Sequence, residues 1–268
     1  MKIVVKIIAG LLITGILVIV GYFVYKLYKN DFSFAKTFGI GVSEKLVEEK
    51  ELDNFKELYI DFNTSNVEIK HSEDNKFKIS IYSDREGTHS IIEDVGVVRV
   101  VINEKKLKFK ERLFNHKISR VLVYIPKDYE GKININGDVG DIDIDNYQYA
   151  LLSVKLNVGD VYIDGIKSVD ADLDVGNLKI KKTYSDFKLK VNTGDIRIKE
   201  ATALVDSTIN VDVGNVKIEE TNDILIKTIS DVGKTNVEKN NLASPTILLI
   251  EVKVGKIDVL APQEEKKS

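Results

Sequence analysis

The side chains of this chain with the clearest capacity for chemistry are carboxylates and amides that recur at intervals. Asp138, Asn157, Asp174, Asn192, Asp212 and Asp231 each stand two places before a glycine, and Asp141, Asp160, Asn177, Asp195 and Asn215 stand one place after. Brought into columns, they would form oxygen ladders, and oxygen ladders suit calcium. The calcium-binding nonapeptide repeat, however, needs a Gly-Gly-x-Gly-x-Asp spacing that is absent here. Corner hydrogen bonding, with Asn interspersed to relieve like-charge stacking, asks less of the chain. A second cluster is cationic: Lys105, Lys106, Lys108, Lys110, Arg112, Lys117 and Arg120, opposed only by Glu111. It is expected as a patch for an anionic envelope polymer or a lipid headgroup. The plainer alternative is a solvated edge strand or hairpin, with Leu107 and Phe109 alternating among lysines that block stray pairing.

Catalytic readings find little to build on. His71, His89 and His116 are scattered without metal-ligand spacing, and neither a Gly-x-Ser-x-Gly elbow nor a phosphate-cradling glycine loop occurs. With no cysteine in 268 residues, disulfides, zinc-thiolate sites, thiol catalysis and lipid attachment through cysteine are excluded. No catalytic, cofactor-binding or metal residue is therefore expected, and the protein is expected to be non-enzymatic. The net charge of −3 exerts no pull toward nucleic acid. Nothing in the pattern sets an oligomeric state.

The elements that must position these groups announce themselves through a phrase used seven times. It reads Val139-Gly140-Asp141-Ile142-Asp143-Ile144 at first and recurs around Gly159, Gly176, Gly194, Gly214, Gly233 and Gly255. The glycines lie 19, 17, 18, 20, 19 and 22 residues apart. A period near 19 marks a repeat architecture. Leu152, Val154, Leu156 and Val158 alternate, after which Val161 and Ile163 resume the alternation out of step. That slip turns the chain through a corner while apolar residues keep one interior, and glycine accepts the backbone angles of such a corner. The fold class expected is all-β: a β-solenoid of about 19-residue repeats, its coils stacked ~4.8 Å apart into a rod of roughly 35 Å. A sandwich of antiparallel hairpins is the alternative that strand spacing permits.

Upstream, Phe55 to Pro126 alternates irregularly, and Thr64-Ser65-Asn66-Val67-Glu68-Ile69 is a degenerate copy with Ser65 in the glycine place. Residues 55–130 are thus expected as an irregular β section capping a solenoid at 131–260, interrupted by insertions at Asp84–Asp94 and Lys105–Lys117. The 19 uncharged residues from Ile7 to Tyr25 are long enough to cross a bilayer as a helix, with Tyr22, Tyr25 and Tyr28 at the interface. This is expected to be a retained signal anchor, since Lys26-Leu27-Tyr28-Lys29 follows where a cleavage site would stand. Residues 1–6 would then be cytoplasmic. Residues 26–54 would be a juxtamembrane spacer, partly helical near Ser43 to Leu52, and 261–268 a disordered tail.

The anchor, the segment Val121-Leu122-Val123-Tyr124-Ile125-Pro126 and the iterated Gly-Asp/Asn units together resemble the bacterial putative-adhesin domain of unknown function, to which LiaG-like cell-envelope proteins belong. The resemblance runs from about Phe55 to Val259. It implies a single-pass, membrane-anchored extracytoplasmic β-solenoid, sometimes linked with envelope-stress systems, and it carries no catalytic motif. Lys234 and Lys256 depart from the pattern by replacing the Asp or Asn after glycine. The function expected is an adhesin-like interaction scaffold, with a cell-envelope polymer or a membrane protein as partner. An accessory of an envelope-stress sensing system is the alternative.

Overall fold

The structure, a computed structural model, describes residues 41–105 and 117–261. The expected cytoplasmic stretch and span, the first part of the spacer, Lys106, Lys108, Lys110 and Arg112 of the cationic cluster, and the tail beyond residue 261 lie outside the described residues. Among the described residues no helix is long and apolar enough to cross a membrane. The described residues form sixteen strands. The first seven are β1 (Gly41–Val42), β2 (Leu46–Leu52), β3 (Glu57–His71), β4 (Phe77–Tyr82), β5 (Gly87–Asp94), β6 (Val97–Glu104) and β7 (Lys117–Ile125). Then come β8 (Lys132–Val139), β9 (Ile142–Val158), β10 (Val161–Val175), β11 (Leu178–Thr193) and β12 (Ile196–Ala201). The last are β13 (Ser207–Val213), β14 (Val216–Thr221), β15 (Leu225–Val237) and β16 (Ile247–Val259).

One coil shows how the sequence folds. Leu152, Val154 and Leu156 of β9 point inward from one face, Gly159-Asp160 turns the corner, and Val161 and Ile163 of β10 point inward from the other. A second bend follows where the register shifts between Ile166 and Ser168, and the next coil begins. Neighbouring coils pair in parallel and in phase, so equivalent residues form columns. Val100, Ile60, Ile135, Val154, Ala171, Leu189, Ile209 and Ile250 make one buried column, and Val121, Val67, Ile142, Val161, Leu178, Ile196, Val216 and Ile257 make the other. Each fully buried aliphatic is worth about 1.5–3 kcal/mol. Because a coil buries that surface only against its neighbours, stability belongs to the stack rather than to any one repeat.

The coils do not stack in chain order at either end. β3 lies between β6–β7 and β8–β9, so Ser65 does occupy the glycine position beside Gly140. At the far end β16 is inserted between β13–β14 and β15, so the order at the corner is Gly214, Gly255, Gly233. The outermost coil, β15, replaces the aliphatic residues of both columns with Thr228 and Thr235. It is a polar end cap of the kind a solenoid needs.

Two expectations are corrected. Residues 46–52 form no helix: β2 pairs antiparallel with β4, burying Leu52 and setting Glu49 against Lys78 (2.9 Å), while Lys50 reaches Glu93 of β5 (2.9 Å). Cross-strand partners decide the conformation of this charged run. The insertion expected at Asp84–Asp94 contains β5, which pairs antiparallel with β6 outside the parallel coils and closes the N-terminal end. Finally, Val175, Val213, Val254 and Val232, which precede their glycines, are about half exposed. The slip therefore runs from Leu156 to Val161, and the valine between them stands on the corner rather than in the core. Antiparallel pairing, the basis of the alternative sandwich, joins β2, β4 and β7, and β5 with β6, all at the N-terminal end.

Candidate functional site

The seven predicted corner glycines lie on one edge of the stack. Gly159 shows why no other residue serves: its φ is +148°, and a Cβ would stand 1.8 Å from the carbonyl oxygen of Gly140. Close packing of corner on corner lets the next residue reach along the stack. Asp141 N–H donates to Asn66 Oδ1 (3.0 Å), Asp160 N–H to Asp141 Oδ1 (3.0 Å), and Asn177 N–H to Asp160 Oδ1 (2.8 Å). Asp195 N–H then donates to Asn177 Oδ1 (3.0 Å), Asn215 N–H to Asp195 Oδ1 (2.8 Å), and Lys256 N–H to Asn215 Oδ1 (3.1 Å). Each acceptor oxygen satisfies a backbone donor one coil on, so these oxygens face the stack. Burial pushes the Asp160 carboxyl up from its ordinary value against the opposing bonds from Asn177, and the charge of Asp141 adds to the rise. Lys256 carries no acceptor oxygen, and the ladder ends at the coil next to the cap.

The residues two before each glycine form a second ladder. Asn157 Nδ2 donates to Asp138 Oδ1 (2.9 Å), Asn192 Nδ2 donates to Asp174 Oδ1 (2.7 Å), and Lys253 pairs with Asp212 (2.8 Å). Amide and ammonium thus alternate with carboxylate, as the interspersed Asn implied. Among the described residues no three His, Asp or Glu are placed to hold a metal ion.

The described members of the cationic cluster flank the same edge, since Ser119 pairs with Ser65 and so sits in line with the glycines. Its three described members are each beside a carboxylate: Lys105 with Glu86 (2.8 Å), Lys117 with Asp84 (3.6 Å) and Arg120 with Glu68 (3.9 Å), the last also stacked over the Tyr82 ring at 4.6 Å. The root of the insertion is clamped by Asn63, which accepts from Glu104 N–H (3.1 Å) and donates to Glu104 C=O (2.7 Å).

Beneath the root lies a polar cluster that sequence reasoning missed. Glu104 is buried and accepts from Ser83 Oγ (2.7 Å) and Arg85 Nη1 (3.0 Å); Ser119 Oγ lies against both Ser83 Oγ (2.8 Å) and Glu104 Oε1. His89 Nε2 stands 3.6 Å from Glu104 Oε1, beyond hydrogen-bond distance. Serine, histidine and glutamate are thus neighbours, yet the Ser83 hydroxyl turns to the carboxylate and both serines are buried. A triad needs the hydroxyl on the imidazole and open to substrate. The only signal for this cluster was the odd Glu104 in an inward position of β6. On the opposite side, a cleft of about 840 Å³ is floored by the rings of Phe55, Phe77 and Tyr129, which meet tilted or edge-to-face with centroids 4.6–6.0 Å apart. Its rim mixes Lys56, Glu57, Asp128, Glu130 and Lys132.

The family model for Toastrack DUF4097 matches residues 55–266. The chain belongs to this family. The Toastrack assignment agrees with the resemblance carried by the Gly-Asx units and the Val121–Pro126 segment. Among solved structures, the chain is similar to a "putative adhesin" from Bacteroides fragilis at 20% identity, covering 83% of this chain and 100% of that one, with a TM-score of 0.53. A "putative adhesin" from Parabacteroides merdae matches at 15% identity over 83% of this chain and 98% of that one, with a TM-score of 0.36. No curated protein matches the sequence. At such identity the Bacteroides likeness shows that the Toastrack fold is shared.

Proposed function

We propose that this Toastrack protein is a non-enzymatic, membrane-anchored scaffold of the cell envelope, with its solenoid outside the membrane and an envelope polymer as its adhesin-like target. The observation that carries this reading is where the polar chemistry goes. The Asx ladder is spent on bonds along the stack and the Glu104 cluster is buried, while the outward rows of each sheet face are left at fixed spacing for contact. The apolar run Ile7 to Tyr25 supports the anchor, and the name of the Bacteroides fragilis structure agrees with a surface role. Protease shaving of intact cells tests the reading together with sedimentation of the full chain on purified wall fragments. The expected result is loss of the solenoid on shaving and co-sedimentation that salt reverses. A solenoid cut only after lysis, or one that stays in the supernatant, contradicts it.

A further inference from the structure

The array that stands out lies away from the cationic cluster, on the outer face of three consecutive coils. In β11 Leu178 and Ile180 are buried, in β12 Ile196 and Ile198, and in β14 Val216 and Ile218; alternation turns Lys179 and Lys181, Arg197 and Lys199, and Lys217 and Glu219 outward. Register places Lys179 beside Arg197 and Arg197 beside Lys217. Lys181 and Lys199 form the adjoining row, between the paired residues Ile180–Ile198 and Lys182–Glu200. Five cations therefore stand on one sheet face, about 4.8 Å apart across strands and about 6.7 Å apart along them. Three have carboxylates nearby: Lys181 with Asp164 (2.8 Å), Lys217 with Glu219 (3.0 Å) and Arg197 with Asp195 (3.9 Å). Lys179 and Lys199 have none within ion-pair distance among the described residues. The Lys179–Arg197–Lys217 row is bounded by Tyr162 and Asp258, and the Lys181–Lys199 row by Asp164 and Glu219.

We propose that this face binds a linear polyanion whose successive charges meet the cation rows along the stack. A flat, regular row of cations recognises repeating charge, and a single small anion would engage only one or two members. The proposal rests on the scaffold reading only for where such a polymer is met, because binding itself is a property of the purified chain.

Binding of the full-length protein to long-chain polyphosphate, with polyglutamate and orthophosphate in parallel, tests it across a salt series. Polyphosphate or polyglutamate should bind at low salt and orthophosphate should not; which polymer binds more tightly distinguishes phosphate from carboxylate chemistry. Lys179→Ser with Lys199→Ser should weaken binding at least about ten-fold and lower the salt slope by about two. Lys155→Ser with Lys188→Ser, the same charge change on the other face, should leave affinity within about two-fold. Asp164→Asn with Glu219→Gln should tighten it. Thermal melts establish that each variant is folded. Neither polymer binding, or equal losses from the two lysine pairs, would overturn the assignment. Loss of surface exposure in the shaving experiment would leave it standing.

Discussion

Gly176 shows what the corner demands of a single residue. At φ +150°, with the Gly159 carbonyl oxygen 1.7 Å from where a Cβ would lie, a methyl group can be admitted only by parting two coils. Gly176→Ala should cost about 2–4 kcal/mol in urea denaturation, from strain and lost packing together; a loss below ~0.5 kcal/mol would contradict the stacked corner. Asp160 offers a test by pH. Its carboxyl is raised by burial, so the folded chain keeps a proton that the unfolded chain releases near 3.8. Its contribution is full below that value, is lost as pH climbs through the raised folded value, and is constant above. The stability difference between wild type and Asp160→Asn should therefore shift against wild type as pH rises just above 3.8, then level off. A difference that is flat across acid pH would show that Asp160 is not held in the ladder. The glycines and their Asx neighbours were legible because the phrase repeats. Glu104 was not, because one acidic residue in an irregular strand looks like any surface charge until Arg85, Ser83 and Ser119 converge on it from sequence-distant positions.

At the scale of elements, what the chain hides is order. In a parallel stack every coil presents the same phase, so Val232-Gly233 and Val254-Gly255 are interchangeable as patterns, and β16 can lie inside β15. The signals that set the end were present as exceptions: Thr228 and Thr235 in place of aliphatics, and lysines after the last two glycines. Lysine on a terminal strand discourages further pairing, and without an acceptor oxygen it cannot extend the ladder. Insertion of β16 makes truncation non-intuitive. Removing residues 247–268 withdraws the penultimate coil and strands β15, whereas removing 223–268 deletes both outer coils and leaves the stack ending at β13–β14. The shorter chain should therefore keep more amide protection in β13 and β14 than the chain ending at residue 246. Hydrogen exchange measures this, and the reverse ranking would favour a sequential stack. The helix expected at 43–52 failed for a related reason: its partners, Lys78 and Glu93, are supplied by strands that follow it in the chain.

At the scale of the whole molecule, charge is distributed by column rather than by run. The nine aspartates between Asn136 and Gly176 look like an acidic domain, yet several are rungs of corner ladders. The five cations of the outer array are spread over 39 residues and become a patch only when read at the coil period. The denser cluster around Lys105 drew attention in the sequence; its described members are beside carboxylates, as are three of the five cations of the outer array. All these assignments depend on which coil lies beside which. The chain contains no cysteine, so an engineered pair reports that order without competition. Val213 pairs in register with Val254, and Val232 lies one coil further out. Neighbouring parallel strands fall within the ~4.4–6.8 Å Cα separation a disulfide requires, and strands two coils apart do not. Val213→Cys with Val254→Cys should cross-link under mild oxidation, while Val213→Cys with Val232→Cys should remain reduced. Cross-linking of the second pair in place of the first would contradict the stack.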